Sequence, residues 1–257
     1  MKRYEDVTVD SVECIAPDVY DMHVTTQMAT DAVPGQFAML YTGDASKMLG
    51  RPISICECTE KGLRFVFRVA GGGTRELAAF KAGDKLKILG PLGNGYDIDA
   101  MRGKTVMLMG GGIGIPPMLE LAKRLSEAGI KVFAVMGYRD GDLFLKKDFE
   151  RFCEIHVATE DGSAGTKGNV LDAVREKALS CDVICACGPM PMLRAIKTYV
   201  AENGITAYIS LEERMACGVG ACLGCVCKTV QKDAHSHVNN ARVCTEGPVF
   251  EAGTVDI

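Results

Sequence analysis

The chain has 257 residues, a formal charge of −4 and 47% apolar residues, which is enough for one large domain or two to three smaller ones with ordinary cores. The charge excludes a strongly basic field for nucleic acid or anionic lipid, and no apolar run approaches the roughly 18 residues of a membrane helix. The start, MKRYEDVTVD, lacks the apolar core of a signal peptide, so a cytoplasmic, soluble protein with no nucleic-acid or membrane partner is expected.

Residues 1–100 read as an antiparallel β-barrel or sandwich. The stretches EDVTVDSVECIA, VYDMHVT, QFAMLYT, ISICEC, LRFVFRVA and DKLKILG alternate or are β-branched, and glycine and proline separate them. One short helix, TRELAAF, is expected to interrupt them. Within this region LGRPISICE sets Arg51, Pro52, Ile53 and Ser54 at a strand start. A guanidinium beside a hydroxyl suits a pyrophosphate. FRVAGGGTREL places Gly73 and Thr74 at a helix start, a second place where an anion could be held.

Residues 101–211 change rhythm. TVMLMG, KVFAVMG, EIHVAT, DVICACG and AYISL read as strands of a parallel sheet, with helices over 116–128, 168–178 and 190–202 and a further one around 142–151. The turn after the first of these strands holds Gly110, Gly111, Gly112 and Gly114, where a nucleotide phosphate could meet a helix N-terminus. The strict G-x-G-x-x-G pattern is broken by Ile115, so a tight turn without ligand stays open. Cys187-Gly188-Pro189 ends the fourth strand at the same carboxyl edge, where open α/β sheets bind ligands. Thr159, Glu160 and Asp161 follow the third strand and could touch a ribose or an amide. Asp140 could repel a 2′-phosphate, whereas Arg139 beside it could attract one.

Residues 212–257 hold ACGVGACLGCVC and are too few for a core of their own. Twelve cysteines are many for such a chain, and clustered thiols in a reducing compartment bind metal or do redox work. Cys14, Cys56, Cys58, Cys153, Cys181 and Cys185 are scattered and read as packing. Cys217-x4-Cys222-x2-Cys225, then 18 residues to Cys244, is the plant-type [2Fe–2S] spacing. Glycines 218, 220 and 224 let amides approach the sulfurs. A zinc site, with one C-x2-C knuckle instead of two, is the alternative. Cys227 reads as packing on the opposite face of an extended segment, with a ligand swap to it as the alternative. His235 and His237 read as loop residues.

Together the three regions resemble the ferredoxin-reductase family. Arg51-Pro52-Ile53-Ser54 looks like its R-x-x-[ST] flavin motif, and GGGIG with Cys187-Gly188-Pro189 looks like its nicotinamide-side motifs. LGPLGNGY, GGGIGIPPMLELAKRL, CGPMPMLRAIK and EERMACGVGACLGC with VCTEGPVF look like one branch, whose members serve an FMN-containing subunit that oxidises dihydroorotate. That resemblance implies a Rossmann-like middle domain between an FAD-binding barrel and a [2Fe–2S] segment. It implies FAD contacts at Arg51, Pro52, Ile53, Ser54, Val66, Phe67, Arg68, Gly73 and Thr74, and NAD+ as the acceptor at Gly111, Gly112, Gly114, Cys187, Gly188 and Pro189. Phe67 stands where some relatives have tyrosine, and its ring is expected to pack on the flavin. The implied assembly is a heterotetramer of two such chains and two FMN-bearing subunits, in pyrimidine biosynthesis. Adaptors of the hydrogenase, transhydrogenase or sulfide dehydrogenase type share these cofactors.

Overall fold

A computed structural model describes residues 2–44, 46–232 and 237–257. Six strands close into the expected barrel: β1 (Arg3–Ala16), β2 (Val19–Thr25), β3 (Phe37–Tyr41), β4 (Arg51–Cys58), β5 (Gly62–Arg68) and β6 (Lys85–Leu92), in the order β1-β2-β5-β4-β3-β6. Alternation sorts their side chains. Val7, Met22, Ile55, Phe65 and Ile88 fill the interior. Helix α1 (Gly72–Leu77) starts two residues before the expected TRELAAF segment and drives Leu77, fully buried, into the barrel core.

A parallel sheet follows, built from β7 (Thr105–Gly111), β8 (Lys131–Tyr138), β9 (Glu154–Thr159), the two-residue β10 (Thr166–Lys167), β11 (Val183–Cys187) and β12 (Thr206–Ser210). Helices α2 (Pro117–Glu127), α4 (Val170–Glu176) and α5 (Met190–Asn203) occupy the expected stretches. The helix expected around 142–151 shrinks to α3 (Lys146–Phe149), because Leu145 takes a left-handed φ of 63° directly before it. The segment after the cysteine loop adds a hairpin, β13 (Val226–Lys228) with β14 (Asn240–Arg242), and a last strand, β15 (Val249–Glu251).

The sheet order is β10-β9-β8-β7-β11-β12-β15, parallel except that β15 runs antiparallel to β12. Residues 249–251 are therefore part of the middle sheet, which the sequence pattern did not anticipate. The order reverses between β7 and β11, and open sheets bind ligands at such a switch point.

Ionic contacts tie the barrel to the α/β sheet. Arg64 on β5 reaches Asp21 at 2.7 Å, Glu57 at 3.1 Å and, across the seam, Asp148 on α3 at 2.7 Å. Fully buried Glu120 on α2 accepts the Cys58 amide at 2.8 Å and pairs with Arg124 at 2.6 Å. Among the described residues, no helix is long and apolar enough to cross a membrane.

Candidate functional site

The cysteine loop leaves the sheet after β12 and folds against the barrel. Gly218 and Gly220 hold φ values of 69° and 85°, which turn the backbone so that amides face sulfur. Cys217 Sγ accepts the amides of Val219 and Cys222, both at 3.4 Å, and Cys222 Sγ accepts that of Gly224 at 3.4 Å. Burial works against ionisation of Cys217, but the amides of Val219 and Cys222 outweigh it and bring the thiol down to about 6.

Cys225 and Cys244 are buried side by side, with the Val243 amide bonded to the Cys225 carbonyl at 2.9 Å. Burial and the Cys225 thiol push Cys244 up to about 11. Arg242 pairs with Glu246 and donates to the Gly220 carbonyl at 3.3 Å, lashing the loop together. Among the described residues, no three His, Cys, Asp or Glu side chains close on a point that one ion could fill. The four thiols stand instead as two neighbouring pairs with converging amides, a donor set that suits a two-iron centre. Next to them the buried Thr245 hydroxyl has no partner among the described residues. Cys227, on β13, packs half-buried against the shared core. His237 is exposed with a φ of 57°, and His235 lies outside the described residues.

On the barrel, the structure brings Arg51 and Gly73 together. A Cβ on Gly73 would stand 1.8 Å from Arg51 Nε and 2.5 Å from Nη2, so only glycine lets the guanidinium lie over the start of α1. This cradle fits a phosphate. Ile53 turns into the barrel and its neighbours Pro52 and Ser54 turn outward. Val66 faces the seam with Val19, Cys56 and Tyr96.

Two expectations change here. The Phe67 ring is 2% exposed, points into the barrel and stacks on Tyr20, with centroids 6.2 Å apart, so the ring does not face the seam. The Thr74 hydroxyl accepts the Ala70 and Gly71 amides at 2.9 and 3.1 Å and is committed to its own turn.

A cleft of about 670 Å³ opens at the switch point. Gly111, Gly112, Pro189 and Met192 form its floor, and Tyr138, Arg139, Asp140 and Glu160 one wall. The facing wall comes from the barrel: Pro17, Asp18 and Arg68, whose Nη2 would stand 3.9 Å from a Cβ on Gly112. The barrel's contribution, a β1–β2 turn closed by the Val69 amide on the Asp18 carbonyl, carries no sequence signal of a binding site.

Gly114 lies beneath the floor. A Cβ there would meet the Cys187 carbonyl oxygen at 2.4 Å, so the glycine turn and the Cys187-Gly188 turn cross with no room for a side chain. Gly114→Ala is expected to displace one turn and lower NAD affinity at least tenfold, about 1.4 kcal/mol, measured by equilibrium dialysis. Unchanged affinity would contradict this packing. Cys187 is fully buried, and burial pushes its thiol well above the usual range. Thr159 is buried, and its hydroxyl bonds the Ala164 carbonyl at 2.7 Å, so it does not reach the cleft. Asp161 caps Ser163 at 2.9 Å, leaving Glu160 as the cleft residue of that trio.

Known proteins align with this arrangement along its whole length. Residues 108–198 match the oxidoreductase NAD-binding domain family, and residues 212–256 match the iron-sulfur cluster binding domain of dihydroorotate dehydrogenase B. The dihydroorotate dehydrogenase B (NAD(+)) electron transfer subunit of Lysinibacillus sphaericus is 40% identical over 260 residues, 99% of each chain. The chain belongs to this family of electron transfer subunits. The subunit of the same name from Fusobacterium nucleatum is 42% identical over 265 residues, again 99% of each. Among solved structures, a chain of an NADH-dependent reduced ferredoxin-NADP oxidoreductase superposes with a TM-score of 0.87 at 30% identity, covering 97% of this chain and 89% of that one. A Neisseria gonorrhoeae ferredoxin NADP+ reductase with bound FAD and NADP shares the fold, with a TM-score of 0.67 at 14% identity over 82% of this chain and 94% of that one. The ferredoxin-reductase architecture read from the sequence is thus borne out: barrel, parallel sheet and iron–sulfur region.

Proposed function

We propose that this chain is the subunit that takes electrons from an FMN-containing dihydroorotate dehydrogenase and delivers them through [2Fe–2S] and FAD to NAD+. The observation that carries the reading is one chain that holds a four-cysteine segment packed on the barrel, a guanidinium cradle and a switch-point cleft, and that aligns end to end with subunits of that name. Flavin supplies the link, since it exchanges single electrons with iron–sulfur centres and electron pairs with nicotinamide.

The chain's own residues do the rest. Cys217, Cys222, Cys225 and Cys244 would hold the iron, and the amides of Val219, Cys222 and Gly224 would neutralise charge on the sulfurs. Arg51 over Gly73 would hold the flavin pyrophosphate, with Pro52, Ile53 and Ser54 along the isoalloxazine side and the backbones of Val66, Phe67 and Arg68 closing it. Gly111, Gly112, Gly114, Cys187, Gly188 and Pro189 would seat the nicotinamide dinucleotide. Asp140 accepts the Asp142 amide at 3.1 Å and pairs with Arg139 at 3.2 Å, so opposite charges share this wall, and the preference for NAD rests on the NAD(+)-linked relatives.

Dihydroorotate oxidation itself is assigned to the FMN partner, because the relatives that align end to end with this chain are electron transfer subunits. The division of barrel 1–100, NAD domain 101–211 and cluster segment 212–257 follows these roles, and a cytoplasmic place suits a reduced thiol cluster. The isolated chain, loaded with FAD, should reduce artificial acceptors with NADH and show no dihydroorotate oxidation until an FMN partner is added. Oxidation by the single chain would overturn the division of labour. The likeness to the ferredoxin-NADP oxidoreductase chain favours, as second reading, an adaptor of another flavin complex. Identification of the protein that co-purifies from native extract separates the two.

A further inference from the structure

The cysteine loop and the flavin motif touch opposite sides of one barrel strand. Met39 on β3 is fully buried and points out of the barrel, into a core that also contains Leu92, Cys225, Val243 and Cys244. A Cβ on Gly218, the residue after Cys217, would lie 2.7 Å from Met39 Cγ and 3.1 Å from Leu92 Cδ1, so the loop's backbone rests directly on these two side chains. On its other flank Met39 pairs in register with Pro52, and its Cβ lies 3.0 Å from the Cβ position of Gly50, which precedes Arg51. One side chain therefore spans from the loop to the strand that starts with the flavin motif.

We propose that Met39 is a positioning residue that seats the Cys217 loop on the barrel and sets its distance from the flavin. The proposal rests on the cofactor reading above. The step it governs moves one electron: the iron–sulfur centre is oxidised by one, the flavin is reduced by one, and no bond forms or breaks. Such a transfer depends on separation and on unbroken packing between the two groups. Met39→Ala keeps the Cβ beside Gly50 but removes the Cγ and sulfur that support Gly218, opening a gap under the loop, whereas Met39→Leu keeps that space filled.

The test compares Met39→Ala, Met39→Leu and Leu92→Ala in the full chain. Two quantities are read: rapid-freeze EPR of the cluster-to-flavin electron transfer rate, and peptide-resolved iodoacetamide labelling of Cys217 in chain prepared without iron. The expected result is that Met39→Ala keeps flavin and iron content and cluster potential. It should slow transfer several-fold, since a one-electron step weakens as separation grows, and label Cys217 several-fold faster. Met39→Leu should restore both, and Leu92→Ala should fall between. Transfer and labelling at wild-type rates in Met39→Ala would overturn the seat. If Met39→Ala fails to bind iron, Leu92→Ala and the labelling comparison decide. A wild-type chain that binds no iron would sink the cofactor reading while the labelling still judges the seat.

Discussion

Replacing Cys225 with alanine should strip iron and its visible absorption from the chain, while replacing Cys227, two residues on, should leave both in place. Cys225 is 2% exposed and packs beside Cys244 at the base of the loop. Cys227 stands on β13 against Ala241, at the margin of the same core and off the loop that gathers Cys217, Cys222 and Cys225. The loss should be close to complete for Cys225→Ala. Electron delivery from an FMN partner to NAD+ should disappear, while NADH oxidation by artificial two-electron acceptors continues, since that route uses only the barrel and the cleft. Iron and sulfide analysis with the visible spectrum checks both variants. A brown Cys225→Ala protein, or a colourless Cys227→Ala one, would reassign the ligands.

Arg64→Met should cost about 3–5 kcal/mol, the usual result of removing one partner from a buried ionic group. Its side chain is 10% exposed and faces three carboxylates, two of them equally buried. Without the guanidinium, Asp21 and Glu57 are left close together in a weakly hydrated seam. At about 2–4 °C per kcal/mol for a chain of this size, the melting temperature should fall by roughly 10 °C. The deficit should shrink in acid.

In the wild type, burial would raise the Asp21 carboxyl, but hydrogen bonds from His23 and Arg64 outweigh it and hold it below its ordinary 3.8. A depressed carboxyl stabilises the fold above its unfolded pKa, and that contribution is lost as pH falls through the lower folded value. In Arg64→Met the same carboxyl loses its cation and takes up a proton at higher pH. Denaturation at pH 7 and pH 3 reads the difference: the gap between wild type and variant should narrow at pH 3. A constant gap would mean that packing, not charge, is what Arg64 supplies. Because Asp148 belongs to α3, the variant should also loosen the barrel from the α/β sheet, visible as faster hydrogen exchange along β5.

Much of this was legible in the sequence because period and punctuation coincide. LRFVFRVA alternates so cleanly that one strand could be placed, and the same alternation carries a correction. Phe67 is in phase with Leu63 and Phe65, which fill the barrel, so its ring had to point inward with them. Five parallel strands were visible as apolar runs after glycine turns. β15 was not, since three residues after a Gly-Pro step have no period to read and pair only because β12 offers an open edge. The four cysteines proposed as cluster ligands come from local spacing. The Gly73–Arg51 and Gly218–Met39 contacts join residues 22 and 179 positions apart, and no local pattern connects them.

The return of the chain as β15 beside β12 also bears on the order of assembly. The cysteine segment departs at one strand and comes home on its neighbour, roughly 5 Å away. Asn94 in the barrel's last turn holds the homecoming end through the Thr245 carbonyl at 3.0 Å and the Gly247 carbonyl at 2.6 Å. Both ends of the segment are thus tethered by the reductase body, not by the thiols. A newly made chain can therefore complete its two larger lobes and keep the ends of the cysteine segment in place without metal.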